Sequence, residues 1–339
     1  MFKIIGSNGR TWRWLLVGCA AAGCGSVAAT SAGEDDASTG GASSGDVTTG
    51  SASSGDVTTG QTTTMATETA TTEATTEPAT PFVACDECFP FEQLPSSLRT
   101  RAEELLLTAL DREALYTIAA DIKPMSSSFV QLSYPATEPP AELDELRQIF
   151  AAWTCTPELS AGLQVFHQTF EGLAYADGVV FHTPQVAGVV EEFSGVFTAI
   201  GVAADDPVMA IVDAVDADPT NNRFRGYGYL FGYPPYAVDF FVEAQEQEAM
   251  TGQFVERDFM HIPTFEADKG RFVYAVPKGH EENEDDAALR ARAALVLTRY
   301  KQLRAEAIGE GKPGVLQLVR TWFDDGAGNC SPRHAAPGQ

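Results

Sequence analysis

Residues 173–200 read LAYADGVVFHTPQVAGVVEEFSGVFTAI, and two periods meet in them. The run through Val179, Val180 and Phe181 is short, apolar and rich in β-formers, so residues 173–183 predict a buried strand. Thr183-Pro184 then supplies a capping residue followed by proline at the first helical position. Beyond it Val186, Val189, Val190, Phe193, Val196, Phe197 and Ile200 recur at helical spacing. A strand that feeds straight into an amphipathic helix points to mixed architecture, and the flanking sequence repeats the alternation. Helices are predicted over 95–111, 112–121, 139–153, 205–215, 234–248 and 285–307, most of them opened by proline or an acidic cap. The last has Glu281, Glu282, Glu284, Asp285 and Asp286 at its start and Arg299, Lys301 and Arg304 near its end, an order that suits the helix dipole. Strands are predicted over 128–134, 163–170, 227–233, 254–265 and 271–276. The loop Glu266-Ala267-Asp268-Lys269-Gly270 joins the last two as a hairpin. The expected fold is therefore α+β, a single domain over 82–339 with a mixed or antiparallel sheet, several packed helices and a short flexible C-terminal tail.

The 339 residues carry 47 acidic and 22 basic side chains, a formal charge of −25. Residues 82–339 hold 39 of the acids and 19 of the bases, so the acidity belongs mainly to the folded part. Binding to nucleic acid through a general basic face is excluded, because neutralising phosphates requires clustered Lys and Arg. Hydrophobic content of 44% excludes global disorder.

The N-terminus reads as an address. Lys3, Arg10 and Arg13 precede the apolar stretch 14–23, which at about 10 residues is half of what a membrane-spanning helix needs. Leu16-Val17-Gly18-Cys19 and Ala21-Ala22-Gly23-Cys24 each place a small residue before a cysteine. The arrangement resembles a bacterial lipoprotein signal, in which that cysteine is lipidated and becomes the new N-terminus. The resemblance covers residues 1–81 only, and it implies a chain exported to the bacterial cell envelope and held to the membrane by lipid. Cys24 is favoured over Cys19, since cleavage there leaves four further cysteines, an even set able to pair in an oxidising compartment. Residues 24–81 are rich in Ser, Thr and Gly, carry eight acids and no base, and repeat ASSGDVTTG at 42–50 and 52–60. Such a segment has little to bury against its ordering entropy and reads as a disordered linker, spanning about 40 Å if coiled.

Cys85, Cys88, Cys155 and Cys330 are read as structural disulfides; a redox Cys-x-x-Cys site and a four-cysteine zinc site are the alternatives. His182 stands where a strand meets a helix start, His167 lies on the preceding strand and His261 on a later one. Three histidines from separate strands are a candidate metal set, although none has the HExxH spacing. Asp213, Asp216, Asp218, Thr220 and Asn222 resemble the first part of a calcium loop without its later Glu or turn Gly. Zinc and calcium are thus the only cofactors the sequence suggests, and none is required.

In 226–233 the aromatic residues Tyr227, Tyr229, Phe231 and Tyr233 alternate with Gly226, Gly228, Leu230 and Gly232. Read as a strand, that pattern makes one wholly aromatic face able to stack on a sugar or peptide, with Arg223 and Arg225 as polar clamps; core packing is the competing reading. GxSxG occurs only in the linker, at 41–45, where no nucleophile elbow can form. Gly309, Gly311 and Gly314 match GxGxxG but follow a helix and enclose Pro313, so they read as a helix stop. With no catalytic motif left, the expected function is an envelope lipoprotein whose acidic domain binds a small molecule, glycan or protein. The alternative is a metal-dependent envelope enzyme using the strand histidines.

Overall fold

A computed structural model describes residues 2–5, 11–14, 83–327 and 329–331. Cys19, Cys24, the linker 24–81 and the tail 332–339 lie outside the described residues. Strands β1 (Phe2–Ile5) and β2 (Thr11–Trp14) pair antiparallel, with Phe2 opposite Trp14.

From residue 83 onward the chain is an α+β domain. Its strands are β3 (Val83–Ala84), β4 (Met125–Ser126), β5 (Gln131–Pro135), β6 (Leu159–Val165), β7 (Leu173–His182), β8 (Arg257–Ile262), β9 (Phe272–Pro277) and β10 (Asn329–Cys330). Its helices are α1 (Ser96–Asp111), α2 (Leu115–Ile118), α3 (Glu142–Ala151), α4 (Thr183–Glu192), α5 (Ser194–Ile200), α6 (Val208–Ala217), α7 (Asn222–Leu230), α8 (Pro235–Thr251), α9 (Glu284–Ala307) and α10 (Val315–Phe323). Among the described residues no helix is long and apolar enough to cross a membrane.

β7 organises the main sheet. It pairs antiparallel with β6 along one edge and with β5 and β4 in turn along the other. Val179 and Phe181 pack into one hydrophobic cluster and Val180 into the other, so both faces are covered and the strand reads as a continuous apolar run. Gly178 sits where a Cβ would come within 2.5 Å of Phe129 and 2.7 Å of Phe150, so only glycine lets those rings lie across the strand. β8 and β9 form the expected hairpin as a separate two-stranded sheet.

Two main cores flank this framework, with a smaller cluster of Tyr134, Leu143, Ala174 and Ala176 beside them. The larger gathers Leu106, Leu115, Phe150, Tyr300, Leu318 and Trp322 from α1, α2, α3, α9 and α10, with Trp153 just past α3. The second packs Val186, Phe197, Ile211, Val215 and Leu230 of α4 to α7 against Val179 and Phe181. Helix α9 starts with a capping box, in which the Asn283 side chain accepts from the Asp286 backbone while the Asp286 side chain accepts from that of Asn283.

Several elements depart from the sequence expectation. The 183–200 helix breaks at Phe193 into α4 and α5. The helix expected over 112–121 shrinks to the single turn of α2, because the backbone N–H groups of Ile122 and Lys123 fold back onto the Tyr116 carbonyl. The glycines at 309–314 do stop α9, but Gly314, at φ +94°, also opens α10. That helix buries Val315, Leu318, Val319, Trp322 and Phe323, each contributing about 1.5–3 kcal/mol relative to exposure.

Candidate functional site

The aromatic segment is the principal correction. Residues 222–230 are helix α7, not a strand, so the four aromatics do not form one face: Tyr227 stacks on Phe231, while Tyr229 turns to Phe193. The reason lies in the glycines. A Cβ on Gly226 would meet Val215 of α6 at 2.9 Å, and one on Gly228 would meet Val238 of α8 at 2.7 Å. Two bare positions on the helix surface thus let two neighbouring helices close on it, which a strand would not need.

Of the five candidate ligand-binding residues, Arg223 and Tyr227 meet on one buried carboxylate and the other three part from them. Arg223 is buried, and its Nη2 donates to Asp216 Oδ1 at 2.6 Å. Tyr227 donates to the same oxygen at 3.2 Å and accepts from Gln164 Nε2; burial pushes its hydroxyl pKa up. Tyr229 stacks on Phe193 with centroids 3.7 Å apart, Tyr233 packs against Phe272 and Tyr274, and Arg225 is half-buried elsewhere on α7.

Asp216 also accepts the His167 backbone N–H at 2.6 Å, so this carboxylate holds α6, α7 and the end of β6 together. The calcium-like cluster is consumed the same way. Asp213 faces His167 Nε2 at 3.0 Å, and Asp218 accepts from the Thr220 backbone and hydroxyl.

The three histidines take separate partners, and His167 lies past the end of β6, with only His182 and His261 on strands. His167 pairs with Asp213, His182 Nε2 lies 3.6 Å from Glu158 Oε2, and His261 Nδ1 accepts from the Gly270 backbone. Burial, with Lys269 and Arg290 nearby, depresses the His261 pKa. Among the described residues the donor atoms that gather within 4.8 Å of one another belong instead to Cys85, Cys88 and Cys330. His182 retains one feature of interest, a buried Nδ1 without a hydrogen-bond partner at the start of α4.

Two polar centres escape sequence reasoning. Asp286, fully enclosed, accepts from Tyr236 and Tyr274 at 2.5 Å each, from His280 Nε2 at 2.7 Å and from the Asn283 backbone at 3.1 Å. Burial alone would raise its pKa, but these donors hold it below the usual aspartate range. The capping box is readable in Asn283-x-x-Asp286; the tyrosines, from α8 and β9, are not.

The second centre is Lys123, wholly buried, whose Nζ contacts Glu113 Oε2 at 2.5 Å and lies 4.2 Å from the Phe272 ring centroid, 5.3 Å from Phe231 and 5.6 Å from Tyr233. Both centres lock elements together.

The cysteines form two disulfides, Cys85–Cys330 and Cys88–Cys155. They bind the first turn of the domain to its last strand and to the end of α3. No family model, curated protein or solved structure matches the chain.

Proposed function

We propose that this is an exported, lipid-anchored envelope protein whose acidic, disulfide-stapled domain binds a ligand or partner. The observation that carries the reading is the pairing of Cys85 with Cys330 and Cys88 with Cys155, which suits an oxidising compartment. The leader and the acidic linker support the same destination, and the domain's net acidity makes lipid a better membrane link than charge. The binding role is supported by how the polar side chains are used: Asp216, Asp286, Lys123 and Arg223 all hold the fold together. Exposed apolar side chains then supply the contact candidates, with Met250 and Phe254 the most accessible among the described residues.

Metabolic labelling with palmitate and membrane fractionation in a bacterial host test the anchor. Wild-type protein takes up label and sediments with membranes, whereas Cys24→Ala is unlabelled and soluble. Undiminished labelling of Cys24→Ala that disappears only in Cys19→Ala moves the anchor to Cys19. No label in the wild type overturns the lipoprotein reading.

A further inference from the structure

The two disulfides are neighbours as well as staples. Cys88 Sγ lies 3.1 Å from Cys330 Sγ across the two bonds, and the sulfurs of Cys85, Cys88 and Cys330 lie within 4.8 Å of one another. Cys155 is bonded to Cys88 and so stands at the edge of that group. Their residues are at most 6% exposed. Three separate parts of the fold converge to make the cluster. Cys85 and Cys88 flank a single tight turn, with the Cys88 N–H donating to the Cys85 carbonyl; Cys155 follows α3; and Cys330 lies on β10.

We propose that this node is a tetrathiolate metal site in the reduced chain, taking one zinc or another soft divalent cation in place of the two disulfides. A tetrahedral zinc with four bonds of about 2.3 Å needs sulfurs about 3.8 Å apart. Cys88 and Cys330, unbonded to each other, already lie near that spacing, so forming the site requires the Cys85–Cys330 pair to part by about 2 Å and Cys155 to turn in beside Cys88 once the bonds are cut. The donor set is all sulfur, which favours zinc over calcium or magnesium. Burial withholds the water ligand that an open catalytic site would keep, so the site is structural.

Arg320, whose guanidinium pairs with Glu92, frames the cluster. Its Nε donates to the Cys88 carbonyl at 2.9 Å and its own carbonyl lies 3.1 Å from Cys85 Sγ. The chemistry balances: a dithiol reductant gives each disulfide two electrons and two protons and leaves as its own disulfide. The cation then displaces the four thiol protons.

The test uses the full chain carrying Cys19→Ser and Cys24→Ser, so that only these four cysteines respond. Oxidised protein should bind no cobalt(II). After anaerobic treatment with a phosphine reductant it should bind one equivalent, with the visible bands of tetrahedral cobalt thiolate, and zinc should displace it. Zinc-edge X-ray absorption on the reduced protein should count four sulfur ligands, and Cys155→Ser should weaken binding by tenfold or more. Absence of stoichiometric metal after reduction, whether the chain stays folded or not, overturns the proposal. So does a count of fewer than four sulfurs, which needs no variant to fold. None of these outcomes bears on lipidation at Cys24.

Discussion

Asp177 and Asp286 are both buried, at 4% and 0% exposure, yet the fold drives their charge states in opposite directions. Asp286 meets two tyrosine hydroxyls, the His280 ring and a backbone N–H, and its pKa is held below the usual aspartate range. Asp177, in the middle of β7, is offered only backbone donors, those of Ser128, Val130 and Gly178. Burial, with the charge of Glu113 adding to it, pushes its pKa well above that range. Both carboxyls are hidden from solvent, but Asp177 lies deeper among protein atoms and its backbone donors do not offset that desolvation, whereas the tyrosine, histidine and backbone donors of Asp286 do.

The largest break should come from removing the better-served carboxylate. Asp286→Ala strands Tyr236, Tyr274 and His280 without their acceptor and deletes half of the α9 capping box, so we expect a loss of about 3–5 kcal/mol. Urea unfolding at unchanged m-value measures it. A loss under about 1 kcal/mol would show that these donors reach water without help, and that the contrast between the aspartates is not energetic.

A smaller effect tests the surroundings of Asp177. Gly178→Ala drives a methyl into Phe129 and Phe150 and should cost about 1–3 kcal/mol by overpacking. Asp177→Asn keeps the shape and removes the charge that burial disfavours, and should cost less than Asp286→Ala. If it instead matches Asp286→Ala in the same urea titration, Asp177 is charged in the fold and the comparison collapses.

Legibility in the sequence tracks the range of the interactions. The β7 to α4 junction, the β8–β9 hairpin and most helix starts are written in local periods and caps, and they appear where the residues put them. The α7 segment misleads because alternating Gly and aromatic residues satisfy a period of two locally. The neighbours that decide the matter, Val215 and Val238, lie on other helices. Helix α10 is hidden because Pro313 and the glycines before it announce a stop and give no sign of a new helix beyond it. The Asp286 centre is hidden because Tyr236 is 50 residues away in sequence. The four cysteines are visible as a set, but three pairings are open to them and only the fold selects one.

The finest test is the sign of the pH dependence. Asp286 has a folded pKa below its unfolded value, so its contribution is fully present above about pH 4 and is lost as pH falls through the folded value. Asp177 has a folded pKa above its unfolded value. Between the two values the native state holds a proton that the unfolded chain has released, so stability falls as pH rises from about 4 through the raised value. Thermal melts of wild type, Asp286→Asn and Asp177→Asn across that range separate the two. The melting-temperature gap between wild type and Asp286→Asn should narrow on acidification, while Asp177→Asn should gain on wild type as pH rises. If both gaps move in the same direction, one of the two carboxylates is in the opposite charge state from the one its donors dictate.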